Sequence, residues 1–179
     1  MNKPIVLETR RLFLREFVAE DLIPLHKVLG DPEISRFYPY NFDLARTENW
    51  ILRNRTRYQT DGFGLWAVIL KDSGELIGDC GLTLQPIQGE MLPEVGYHIR
   101  RDKQRMGYAS EAASACVNWA FENHDYPAVY SYMKYTNLPS AAVAQKVGMR
   151  FLLEYPDPVN TFTRVYRITR EEWEKKPLY

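Results

Sequence analysis

The stretch "DKQRMGYASEAASACVNWAF", residues 102–121, decides how the chain folds. It opens with charge and a glycine and then turns apolar-periodic. Ala109, Ala112, Ala113, Cys116, Val117, Ala120 and Phe121 fall at i, i+3, i+4, i+7, i+8, i+11 and i+12, one face of an amphipathic helix. Just before it, "EVGYHIR" reads as a strand. Val95, Tyr97 and Ile99 share one face and Glu94, Gly96 and His98 the other, unless a β-bulge breaks the parity. A strand, a charged loop and a helix start therefore follow one another. The first turn of a helix has unpartnered N–H groups and the positive end of the helix dipole, which suits a phosphate. Gly107 lets the backbone approach such a ligand, small Ala109 keeps the approach open, and Lys103 and Arg105 add positive charge. An ordinary strand-to-helix turn has the same ingredients. The loop has neither the GxxxxGK nor the GxGxxG spacing of the common nucleotide-binding loops.

Outward from this segment, "VLETRRLFLREF" at 6–17 reads as a first strand, rich in β-branched and aromatic residues. "AEDLIPLHKVLGD" follows with Leu22, Leu25 and Leu29 at helical spacing, then a second helix within 43–60, with Asp43 as N-cap and Gly62 beyond its end. "FGLWAVILKDSGELIGDCGLTLQ" is two strands around the turn signal "DSG". Past the central helix, "AVYSYMKY" is a strand, "LPSAAVAQKV" a short helix ended by Gly148, and "TFTRVYRI" a late strand; Thr169 and Glu172 form a capping box for a final helical turn. The order β-α-α-β-β-β-α-β-α-β-β predicts an α+β domain with a mixed sheet. No repeat or linker divides the chain, so 1–179 reads as a single domain.

Composition narrows the function. A 45% hydrophobic and 13% aromatic content over 179 residues is that of a packed globule. Lys plus Arg, 23, equals Asp plus Glu, 23, so no net field draws the chain to nucleic acid or an anionic membrane. No apolar run approaches the ~20 residues of a membrane span. Cys80 and Cys116 lie far apart in a chain that lacks a secretory signal at its start, which predicts two buried thiols in a reducing cytoplasm rather than a disulfide. His26, His98 and His124 are scattered, and no metal-ligand spacing appears.

Four segments carry a resemblance. "QRMGYA" at 104–109 resembles the Q/R-x-x-G-x-G/A signature of the GCN5-related N-acetyltransferases (GNAT), which bind acetyl-CoA. "TRRLFLREFVAED" at 9–21, "PEVGYHI" at 93–99 and "NLPSAAVAQKVGMRF" at 137–151 are similar to segments of the subgroup related to the ribosomal-protein N-terminal acetyltransferases. The match runs in register over 9–154. It implies the GNAT fold: a single mixed, mostly antiparallel twisted sheet with helices on both faces and splayed central strands.

The resemblance also implies a site. The backbone N–H groups of Arg105, Gly107, Tyr108 and Ala109 would hold the pyrophosphate of acetyl-CoA, with Gln104 and Met106 shaping the loop. Tyr97, His98 and Ile99 match strand positions whose backbone pairs with the pantetheine arm, and Asn137 matches a residue whose side chain touches that arm. Glu94 matches a carboxylate often found at that position in the family and is the first candidate for the general base, directly or through water; its alternative is a structural carboxylate that accepts neighbouring hydrogen bonds. His98 has a suitable pKa, yet its family position assigns the work to its backbone. Tyr38, Tyr40 and Trp66 are candidates for an acceptor pocket, with the core as the expected place of Trp66. The oxyanion would find a donor among the strand N–H groups near Ile99.

One departure from the family stands out. Many members carry, seven residues after the asparagine, a tyrosine that protonates the leaving thiolate; here that position is Ala144. Ser140, Tyr135 or water would then supply the proton, unless no acid is used. Ser140 follows Asn137 by three residues, so the two share a helix face, and Ser140 is either a donor to the thiolate or a cap of the helix after Pro139.

The expected activity is acetyl transfer from acetyl-CoA to a primary amine, a protein N-terminus or a small molecule, within a ternary complex. Neither cysteine is placed as an acyl carrier, since Cys116 sits on the apolar helix face. No metal is required, and a homodimer is compatible with this reading. The alternative from another class is a non-catalytic acyl-CoA-binding sensor or interaction module on the same fold, which Ala144 favours.

Overall fold

Eight strands and six α-helices are described over residues 4–175 of the computed structural model. Strands β1 (Ile5–Glu8) and β2 (Leu12–Arg15) precede helices α1 (Leu22–Leu29), α2 (Pro32–Ser35) and α3 (Leu44–Thr60). A meander of β3 (Leu65–Leu70), β4 (Leu76–Ile87) and β5 (Glu90–Ile99) leads into α4 (Tyr108–Asn123). Then come β6 (Ala128–Lys134), α5 (Leu138–Lys146), β7 (Arg150–Asp157), β8 (Thr161–Thr169) and α6 (Arg170–Glu174). The strands form one sheet in the order β1-β2-β3-β4-β5-β6-β8-β7. Every neighbouring pair is antiparallel except β5 and β6, which run parallel and pair at a single position, Glu94 opposite Tyr130. Beyond that pair the two strands part. The mixed, splayed sheet expected from the sequence is the sheet observed.

The single strand expected over 6–17 is instead two strands of a hairpin. Thr9 breaks it: its hydroxyl accepts the Leu12 N–H at 3.0 Å, and its own N–H donates to the Leu12 carbonyl at 3.0 Å, closing a turn. The short α2 was not expected. Asp31 accepts the Glu33 N–H at 2.8 Å and Pro32 supplies a preset φ at the first helical position. The other caps read from sequence are present. Asp43 accepts the Arg46 N–H at 2.8 Å, and Thr169 and Glu172 form the capping box of α6.

Two consecutive residues of β4 show that the sheet is covered on both sides. Asp79 accepts the Trp50 Nε1–H of α3 at 2.8 Å, while the Cys80 Sγ lies 3.5 Å from the Cys116 Sγ of α4. Neighbouring side chains of a strand point to opposite faces, so α3 and α4 flank the sheet from opposite sides. The six residues of α4 from Ala112 to Phe121 that the periodicity assigned to its apolar face are all buried. Their small side chains let α4 lie close against β4 and β5. Both cysteines are buried free thiols, and burial pushes the Cys80 thiol well up. Trp66 is a core residue, packed edge-on against Trp119.

Candidate active site

The splay between β5 and β6 opens a cavity of about 900 Å³, within the range of small-molecule sites. Its walls are the parted strand segments Gly96–Ile99 and Ser131–Lys134, the loop into α4, the start of α5, and the segment 36–40 that follows α2. β4 pairs with β5 from Gly78–Ile99 to Ile87–Glu90 without a register shift, so no bulge disturbs β5. The expected parity therefore holds. Tyr97 faces α5, where its hydroxyl donates to the Ser140 carbonyl at 2.7 Å, and His98 faces the α3 side.

The loop into α4 has the form a phosphate requires. Gly107 is the N-cap residue at φ 85°, a left-handed conformation that side chains resist. A Cβ there would also meet Arg11 Nη2 at 3.3 Å. The N–H groups of Tyr108, Ala109 and Ser110 head the first turn of a 16-residue helix and line the cavity with Lys103, Gln104 and Arg105. Gln104 turns back, donating from Nε2 to the Ile99 carbonyl at 2.8 Å, and so ties the loop to the strand. Met106 is exposed and does not reach the cavity. Its carbonyl accepts from Arg11 Nη1 at 3.0 Å.

That arginine belongs to a brace the sequence reading missed. Glu111, one turn into α4, accepts the Thr9 hydroxyl at 2.7 Å, the Arg11 N–H at 2.8 Å and the Arg11 Nε–H at 2.7 Å. The Arg11 guanidinium also stacks over the Tyr108 ring. The β1–β2 turn thus holds the N-terminal end of α4. The conspicuous "TRR" was the available signal, since a polar run inside an apolar strand pattern needs partners.

Asn137 is the N-cap of α5, accepting the Ser140 N–H at 3.2 Å, and both residues line the cavity. The cap of this helix is therefore Asn137, and the Ser140 hydroxyl is not spent on it. Ala144 is buried in the core and contributes nothing to the cavity wall.

The α3 face of the cavity carries a carboxylate and an imidazole. Glu94 sits where the strands part, 8% exposed, its Oε2 accepting the Thr83 hydroxyl at 3.0 Å. Burial pushes its carboxyl up to about 7, against the pull of Thr83, His98 and Arg57. Gly96 leaves the floor open between Glu94 and His98; a Cβ on it would lie 3.3 Å from Glu94 Oε2. His98 Nδ1 lies 2.7 Å from Asp79 Oδ1, and its Nε2 lies 2.5 Å from the Tyr38 hydroxyl. Burial pulls the His98 pKa down, but the charge and hydrogen bond of Asp79, together with Glu94, outweigh it and raise it. Tyr38 and Tyr40 line this end of the cavity. Asp79 was also missed, although a carboxylate inside the apolar run "LIGDCGL" must find partners when buried.

Residues 11–150 match the family model of the acetyltransferase (GNAT) domain. The YkkB protein of Bacillus subtilis is 30% identical over 92% of this chain and 98% of its own. Among solved structures, an acetyltransferase from Agrobacterium tumefaciens superimposes with a TM-score of 0.78 at 30% identity, covering 95% of this chain and 96% of that one. The RimL ribosomal L7/L12 alpha-N-protein acetyltransferase in complex with coenzyme A shares the fold, with a TM-score of 0.76 at 17% identity over 94% and 99% of the two chains.

Proposed function

Because the chain belongs to the GNAT acetyltransferase family, we propose that it moves an acetyl group from acetyl-CoA to a primary amine by direct transfer in a ternary complex. The acceptor is a protein N-terminus or a small-molecule amine. The observation that carries this reading is the single Glu94–Tyr130 pair: past it, two strand edges diverge toward the N-terminus of α4 and share one cavity with it. Backbone N–H groups of Arg105, Gly107, Tyr108 and Ala109 hold the pyrophosphate there, shaped by Gln104 and, from the outer side of the loop, by Met106. The strand backbone at Tyr97, His98 and Ile99 and the side chain of Asn137 align the pantetheine arm. Acetyl-CoA supplies an activated acetyl thioester.

The protein's own groups then manage protons. An amine attacks only when neutral, so Glu94 accepts a proton on the α3 side, with a carboxyl near 7 that suits a general base at neutral pH. Free N–H groups on the parted edge of β5, near Ile99, stabilise the oxyanion. On the α5 side, the Ser140 hydroxyl donates to the departing thiolate. The free thiols of Cys80 and Cys116 suit a reducing cytoplasm.

A second reading, an acyl-CoA sensor without turnover, is favoured by the burial of Ala144, which leaves the site without the usual tyrosine. Incubation with acetyl-CoA and a panel of peptides, polyamines and small amines separates the two by release of free CoA thiol. Acceptor-dependent thiol release is expected. Binding of CoA with no release on any amine would establish the sensor.

A further inference from the structure

An amine that arrives as an ammonium ion loses two protons on becoming an amide: one before attack and one from the nitrogen after it bonds to the carbonyl carbon. Glu94 can accept one of them. A second acceptor is built into the same face of the cavity. The Trp50 Nε1–H donates to Asp79 Oδ2 at 2.8 Å, Asp79 Oδ1 lies 2.7 Å from His98 Nδ1, and His98 Nε2 lies 2.5 Å from the Tyr38 hydroxyl. Asp79 is fully buried, whereas His98, with 13% of its side chain exposed, and Tyr38 both reach the cavity wall. A carboxylate only accepts, so Nδ1 carries the imidazole proton and Nε2 is left to accept the phenol O–H. The chain is thus polarised in one direction, from the cavity toward the buried carboxylate. Tyr38 is held for this by edge-on contacts with Phe42 and Trp50.

We infer that Tyr38, His98 and Asp79 form a proton relay on the acceptor side of the site, which takes the second of the two protons of the incoming ammonium. The inference rests on the acetyltransferase reading. As the new N–C bond leaves the nitrogen positive, its proton passes to the Tyr38 oxygen while the Tyr38 proton passes to His98 Nε2. The tetrahedral adduct then expels the thiolate as its C–O double bond re-forms. His98 ends as an imidazolium facing Asp79 and releases its proton to solvent after the products leave. Tyr38 is the catalytic residue in this step; Asp79 and Trp50 are positioning residues.

The surroundings agree with this direction of transfer. The titratable groups facing His98 are Asp79 from β4, Glu94 from its own strand and Tyr38; all but Tyr38 favour the imidazolium by their charge. Tyr38 in turn faces Asp79, Glu94, Tyr40 and Tyr132, and burial with these neighbours holds its phenol well above its ordinary value. It therefore stays a neutral conduit rather than becoming a phenolate. Arg57 of α3 faces Glu94 rather than the imidazole.

The test pairs nitrogen-15 NMR of the His98 ring with acid-side rate profiles of wild type, Tyr38→Phe, His98→Gln and Glu94→Gln. In the wild type the ring should be the Nδ1–H tautomer and titrate above its ordinary value; Asp79→Asn should lower that value. The wild-type kcat/KM for the amine should fall with two protons on the acid side. Each of the three variants should lose one of them and at least tenfold in kcat, with the affinity for CoA unchanged. An Nε2–H tautomer, or Tyr38→Phe and His98→Gln variants with wild-type kcat and a two-proton limb, overturns the relay alone. A wild-type protein that shows the expected tautomer, binds CoA and acetylates no amine overturns the transferase reading, and the relay's role with it.

Discussion

At the scale of single residues, the proposed role of Glu94 as base would tie catalysis to stability. Its carboxyl titrates at about 7 in the folded chain against an ordinary 4.5, because burial disfavours the charge. The folded state therefore binds this proton more tightly than the unfolded state. The contribution is fully present below about pH 4.5 and is lost as the pH rises to 7. A gap of that size is worth on the order of 3 kcal/mol. Urea denaturation from pH 4 to 8 should show wild type losing stability across that window relative to Glu94→Gln, and the same substitution should lower kcat by about 10²–10⁴-fold. A flat difference in stability would place the carboxyl in contact with water, and unchanged turnover would leave it a structural partner of Thr83. Ser140 separates the same way. Asn137 already caps α5, so Ser140→Ala should cost turnover, about tenfold or more for one lost bond to a charged sulfur, and little stability. Asn137→Ala should lose about 1 kcal/mol of cap. A Ser140→Ala protein with normal kcat and lowered stability would refute the donor role.

At the scale of elements, the loop into α4 is the part that a cofactor phosphate would meet. Gly107→Val places a branched side chain on a left-handed backbone and against Arg11, so calorimetry should find coenzyme A bound about tenfold more weakly or worse in a folded variant. Tight binding by that variant would remove the loop from the site. This element was legible in the sequence because its signals are local: periodicity fixes the buried face of α4, and a glycine before a helix start marks a special backbone. Asp43 and Thr169 were legible for the same reason. The parity of β5 was also readable, and it separates His98 from Tyr97 correctly. What local pattern does not carry is who meets whom. Thr9 and Arg11 looked like strand residues because their partner, Glu111, lies about a hundred positions away. The Asp79–His98–Tyr38 chain joins three elements, and no spacing along the chain encodes it.

At the scale of the whole molecule, function follows from one asymmetry in the sheet. Every strand pair on either side of β5 and β6 is antiparallel, and the two strands that join these halves run parallel and pair only at Glu94 and Tyr130. The gap receives groups from both faces: the helix start of α4 and the cap of α5 on one side, and the carboxyl, imidazole and phenol groups on the other. Such a division suits a reaction with two substrates that arrive from opposite faces and meet between the strands. The most direct test is a crystal structure of the protein with coenzyme A. The pyrophosphate should sit on the N–H groups of Arg105 and Gly107 through Ala109, with the pantetheine arm between Gly96–Ile99 and Ser131–Lys134 and its sulfur within reach of the Ser140 hydroxyl, across the gap from Glu94 and His98. Coenzyme A bound elsewhere, or an empty gap at saturating concentration, would contradict the account.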